Sequence, residues 1–117
     1  MNIEEFRDYC LSKKGTSEEF PFDENVLAFK VMEKIFALTH LQNFDSISLK
    51  CDPEKAVSLR EQYPGVVPGY HLNKKHWNTV FTDASIPGSL LRDWIDHSYD
   101  RVVDGLPKAA KIELEIL

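Results

Sequence analysis

The sequence predicts an α+β fold, an antiparallel sheet of about five strands with helices packed on one face. Three observations predict it. Runs of alternating apolar residues follow one another between residues 26 and 51, the pattern of a half-buried antiparallel meander. Helical patterns stand before and after that run, with none of the strand–helix alternation of a doubly wound sheet. The chain has 117 residues, 43% of them hydrophobic, which suffices for one core. Residues 1–117 are therefore read as a single domain, with element order α-β-β-β-α-β-β-α.

Each element has a local reason. Asn2 and Glu5 form a capping pair for a first helix over about residues 3–14. Ile3, Phe6 and Cys10 share one face of it, and Gly15 supplies the stop. Residues 16–25 carry Pro21 and a polar cluster, so they read as a loop, with Phe20 and Phe22 anchoring it to the core. In residues 26–31, Leu27, Phe29 and Val31 oppose Val26, Ala28 and Lys30. Met32-Glu33 turns the chain. In residues 34–40, Phe36 and Leu38 oppose Ile35, Ala37 and Thr39. In residues 45–51, Ile47, Leu49 and Cys51 oppose Ser46, Ser48 and Lys50.

Asp52-Pro53 opens a second helix, Asp as cap and Pro at the first helical position. It ends before Pro64-Gly65. Residues 66–72 are interrupted by Pro68-Gly69 and read as an edge strand, because proline cannot donate to a central ladder. Residues 77–81 are rich in β-formers and give the next strand. Pro87 begins the last long helix, with Leu91, Trp94 or Ile95, Ser98 and Val102 as its buried stripe, and Gly105 ends it. The tail from Lys108 to Leu117 fits a strand or a short helix equally well.

Composition excludes several functions. The net charge is −5, which gives the whole molecule no electrostatic attraction to nucleic acid or to anionic membranes. Cys10 and Cys51 lack the count and spacing of a disulfide scaffold and read as reduced thiols. No run approaches the roughly 18 apolar residues of a membrane span, and the acidic, polar start is unlike a leader peptide. The expected location is the cytoplasm, and a monomer is favoured.

At this point a set of segments becomes diagnostic. Arg7-Asp8-Tyr9-Cys10-Leu11, Glu19-Phe20-Pro21-Phe22, Phe29-Lys30-Val31 and Ser48-Leu49-Lys50-Cys51-Asp52-Pro53 carry part of it. The strongest runs from Pro68 to Val80 and contains Asn73-Lys74-Lys75-His76-Trp77-Asn78; Ser98-Tyr99 follows on the last helix. Through these residues the chain resembles the MmcQ/YjbR family of small bacterial proteins over most of its length, up to Gly105. Met32-Glu33 departs from the glycine-containing turn usual in the family. The resemblance implies a fold similar to that of the bacterial frataxin CyaY, and DNA binding through a "double wing" arrangement. It brings no catalytic residues.

The candidate site follows from charge. Residues 64–82 hold Lys74 and Lys75 and no acid, a +2 island in an acidic chain. Lysines can neutralise phosphates, and Tyr70 or Trp77 can stack on a base. The nucleic-acid-binding candidates are Lys74, Lys75, His76, Trp77 and Tyr70, with Lys50 and Lys30 extending the patch if they share a face. Against this stands a plain alternative, that Lys74-Lys75 is a solvated hairpin tip and Trp77 is core. The other functional readings are a protein- or peptide-binding adaptor that uses the sheet face or its edge, and small-ligand binding in a cleft between sheet and helices. His71 and His76 have no cysteine partner and no zinc spacing. Glu4, Glu5 and Asp8 read as a solvated helix face. No metal, cofactor or catalytic residue is expected, and no phosphate loop, nucleophile elbow or HExxH is present.

Overall fold

The computed structural model describes all 117 residues. In chain order it contains α1 (Ile3–Leu11), β1 (Thr16–Glu19), β2 (Val26–Val31), β3 (Lys34–His40), β4 (Ser46–Lys50), α2 (Pro53–Gln62), β5 (Val66–Pro68), β6 (Trp77–Phe81), α3 (Gly88–Asp104) and α4 (Lys108–Glu115). The strands form one antiparallel sheet in the order β1-β2-β3-β4-β6-β5. The helices pack on one of its faces, as the sequence predicts.

The caps are where the residue types place them. The Asn2 side chain accepts the Glu5 N–H at 2.8 Å, and the Glu5 carboxylate accepts the Asn2 N–H at 3.1 Å. Asp52 accepts the Lys55 N–H at the start of α2. α1 ends at Leu11 with Ser12 as its C-cap, short of the expected residue 14. Gly15, at φ 72°, instead makes the turn into β1, and a β-carbon there would collide with the Leu114 Cδ1 of α4. That glycine therefore serves both the turn and the seating of the last helix.

The core lies between the sheet and the helices. Leu27 and Phe29 of β2, Ala37 of β3, Ile47 and Leu49 of β4 and Val80 of β6 face it. Phe6 and Cys10 of α1 and Leu91, Ile95 and Val102 of α3 meet them. The Ser98 hydroxyl donates to the Phe36 carbonyl at 2.5 Å and accepts the Lys50 N–H at 2.8 Å. It thereby pins α3 across two strands. Both cysteines are buried, and burial pushes both thiols up.

Three further expectations need correction, and one left open is settled. Residues 16–19 are a strand, not a loop, so the sheet has six strands rather than about five. The strand is short, charged and at the sheet edge, where one side stays solvated and apolar alternation is not required. Phe20 and Phe22 do not anchor the following loop in the core; they are largely exposed, because the loop carries them outward. Phe36 and Leu38 do not share a face. The β2–β3 register shifts at Phe29/Lys30 and passes over Phe36, so Phe36 and Ala37 both turn to the core while Leu38 faces the other side. The tail resolves as a helix, with Leu114 buried against Gly15.

Candidate functional site

The face of the sheet turned away from the helices is the distinctive surface. Its residues follow from the register. One continuous row runs Glu19–Ala28–Leu38–Ser48–Thr79–Val67 across all the strands. A second row pairs Val26 with His40 and Ser46 with Phe81; towards the other end, Lys50 pairs with Trp77. Small and polar side chains dominate the middle. Helices do not need to dock here, so bulky apolar residues are not required.

The loop between β5 and β6 folds back over this face. Gly69 makes the turn: its N–H donates to the Trp77 carbonyl at 2.8 Å, and a β-carbon on it would sit 2.7 Å from the Trp77 Cβ. The next N–H, that of Tyr70, donates to the Thr79 hydroxyl at 3.0 Å, and that hydroxyl lies 3.2 Å from the Ser48 hydroxyl. Tyr70 and His71 are thereby held over the sheet, their rings 4.2 Å apart. His71 sits at φ 58°, left-handed backbone that costs a non-glycine residue roughly 1–3 kcal/mol. Strain of that kind gathers at ligand-facing positions.

The rest of the Pro68–Val80 segment is largely occupied in holding that loop. The Lys74 ammonium donates to the Gly69 carbonyl at 2.9 Å, and the Lys74 carbonyl accepts from Arg60. Asn73 accepts the Lys75 N–H at 2.9 Å. Asn78, buried, accepts from Arg60 Nε at 2.7 Å and donates to the Ala56 carbonyl at 3.3 Å, tying β6 to α2. The His76 carbonyl accepts the Cys51 N–H at 2.7 Å, while its Nδ1 is buried with no hydrogen-bond partner.

Between this loop and the loops at the opposite end of the strands lies a groove of about 780 Å³. Leu38, Ser48 and Thr79 are in its floor; Asn25, Gln42 and Asn43 line one end. Phe22 and Tyr70, 70% and 69% exposed, stand on its rim. The volume suits a ligand of drug size or a few residues of a chain, and the lining of apolar groups with several hydrogen-bonding ones is typical of binding sites. Asp45 is its one carboxylate, and His40 and His71 its two imidazoles.

The seven candidates named from sequence are only partly brought together. Lys50 and Trp77 are cross-strand partners, both half-buried. Lys30 shares the open face with Lys50 but is ion-paired to Glu19. Lys74 is engaged within its own loop. Lys75 is exposed, and Tyr70 stands at the groove. The arrangement leaves Lys50 and Lys75 as the cations of this set without an ion-pair or side-chain hydrogen-bond partner. Sequence reasoning missed Phe22, His40, Gln42 and Asn43. The alternation of Ser46 and Ser48 against Ile47 and Leu49 marked an uncovered face; nothing local marked where loops would wall it.

The comparisons agree with this architecture. A family model described as YjbR matches residues 11–101. The uncharacterized protein YjbR of Escherichia coli K12 is 38% identical over 109 residues, covering 92% of each chain. The uncharacterized protein YbdF of Escherichia coli O157:H7 is 44% identical over 90 residues, 76% of this chain and 74% of that one. The crystal structure of a Deinococcus radiodurans protein with a DUF419 domain superposes with a TM-score of 0.91 at 39% identity, over 97% of this chain and 88% of that one.

Proposed function

Because the chain belongs to the YjbR family, whose relatives above are named only as uncharacterized, its function must be read from the site the fold builds, and we propose that it is a non-enzymatic adaptor that binds a protein segment in the groove on the open sheet face. One observation carries this reading: two aromatic rings, Phe22 and Tyr70, stand exposed on the rim of an almost uncharged concavity. Exposed aromatics around a groove are the chemistry of polypeptide recognition, in which rigid rings supply contact area at low entropic cost. The buried, upward-shifted thiols of Cys10 and Cys51 are poor nucleophiles, which supports a binding role over catalysis.

Single-stranded nucleic acid is the second reading, favoured by the pairing of Lys50 with Trp77 on the same face. Its weakness is cation supply. With Lys30 and Lys74 already engaged, only a couple of phosphates find a free lysine, and the molecule is acidic overall.

Selection of random peptides displayed on phage separates these readings. Peptides that bind the wild type and not Phe22→Ala/Tyr70→Ala are expected. Fluorescein-labelled single-stranded and duplex oligonucleotides at low salt should give no polarisation change. Oligonucleotide binding that collapses with added salt, in the absence of any groove-dependent peptide, would replace the first reading with the second.

A further inference from the structure

The groove has an electrical direction. Asp45 lies at the start of β4, beside the loop that carries Asp23 and Glu24 next to the groove-lining Phe22 and Asn25. Leu41 N–H bonds the Asn25 carbonyl at 2.8 Å, so those two loops share one end of the sheet. At the other end of β4, one pleat beyond the groove-lining Ser48, stands Lys50 opposite Trp77. Neither Asp45 nor Lys50 has an ion-pair partner within the chain. The strand between them is roughly 17 Å long at about 3.3 Å per residue, the reach of five or six residues of an extended chain. The middle of that path is Leu38, Ser48 and Thr79, without charge.

Resting on the peptide reading above, we infer that the occupant is a short extended segment with an apolar or aromatic residue at its centre, a basic residue towards Asp45 and an acidic residue towards Lys50. The central side chain packs between Phe22 and Tyr70 over Leu38. The end charges set direction. The surface lining the groove is well below the roughly 800 Å² per partner of a stable interface between two copies of this chain, whereas a short segment fits it.

The experiment uses synthetic peptides about seven residues long, with tryptophan at the centre and serine and threonine between. One has lysine first and glutamate last, one has the order reversed, and one has glutamine at both ends. Binding is read by fluorescence polarisation, with oligo-dT and gel filtration alongside. One charged order should bind more tightly than the other and than the neutral peptide. Asp45→Lys or Lys50→Glu alone should weaken the preferred peptide about two- to five-fold. Asp45→Lys/Lys50→Glu together should reverse the preferred order. Thermal melts report whether each variant is folded; Asp45 is exposed and Lys50 is half-buried on the open face, outside the hydrophobic core, so intact folding is expected.

Equal binding of all three peptides, lost in Tyr70→Ala, overturns the charge direction and leaves the groove reading standing. No binding of any peptide, whether or not Tyr70 is present, overturns both. Salt-sensitive binding of oligo-dT, or self-association that Tyr70→Ala abolishes, assigns the face to a different occupant and overturns the inference.

Discussion

The two faces of this sheet are made by the same strands and differ by one residue of register. On the helix side stand Leu27, Phe29, Ile47, Leu49 and Val80, nearly all inaccessible. On the other side stand Ala28, Leu38, Ser48, Thr79 and Val67, of which Ala28, Leu38 and Thr79 are also buried, but walled by a folded-back loop rather than by helices. The first face holds the fold together; the second is shaped by backbone hydrogen bonds and presents exposed rings. The difference teaches that the Pro68–Val80 segment, the most distinctive stretch of the sequence, belongs mainly to the second face. Lys74, Asn73 and Asn78 hold its loop in place, and Tyr70 and His71 are what the loop presents.

This division makes graded predictions. Phe29→Ala, at a fully buried site in edge-to-face contact with Phe6 at 5.3 Å, should cost about 3–5 kcal/mol in urea unfolding. A cost below about 1 kcal/mol would mean that this face is not the core. Asn78→Ala removes the acceptor of Arg60 and a donor to Ala56. The cost should be about 2 kcal/mol, because buried groups lose their partners. In this variant, amide exchange should accelerate through residues 69–76 more than in β2.

Acid should loosen the helix side first. His97 accepts the Asp52 N–H through Nε2 at 3.1 Å, and burial, then Lys55 and Arg101, hold its pKa below the ordinary 6.5. The neutral ring is favoured in the fold. Its stability contribution is therefore present above about pH 6.5 and is lost as the pH falls through the lower folded value. Asp96 adds loss only at more acidic pH. Burial opposes its charge, but hydrogen bonds from Lys13 and Tyr9 outweigh that and hold the carboxyl below its usual range. Urea midpoints measured between about pH 7 and about pH 5 should fall for the wild type and fall less for His97→Gln. Parallel slopes for the two proteins would remove His97 from this role.

The smallest expected effect on stability is that of Tyr70→Ala. Its ring is mostly in solvent, so unfolding should change by less than about 0.5 kcal/mol. Binding at the groove should nevertheless fall sharply. A large loss of stability would make Tyr70 a structural residue and weaken the case for a binding rim.

The meander, both helix caps and the helix stripe with Ser98 were legible because they rest on local periodicity and capping chemistry. Edge strand Thr16–Glu19 was not, since a solvated charged strand has no apolar alternation to read. The phase of β3 was not, since the shift at Phe36 depends on pairing with β2. The candidate site was half legible. Its signature loop and Tyr70 could be named, but the engagement of Lys30 by Glu19 and of Lys74 by Gly69 arises from contacts that only the fold creates. The same holds for Phe22, whose place on the rim depends on where an irregular loop crosses a sheet.

The most direct measurement is an amide NMR titration of the protein with the preferred charged peptide. Shifts should be confined to the open face and its loops, at Leu38, Ser46, Ser48, Tyr70–Leu72 and Thr79. Amides of α1 and α4 should stay fixed. Shifts centred on the helices, or none on the row through Leu38, Ser48 and Thr79, would contradict it.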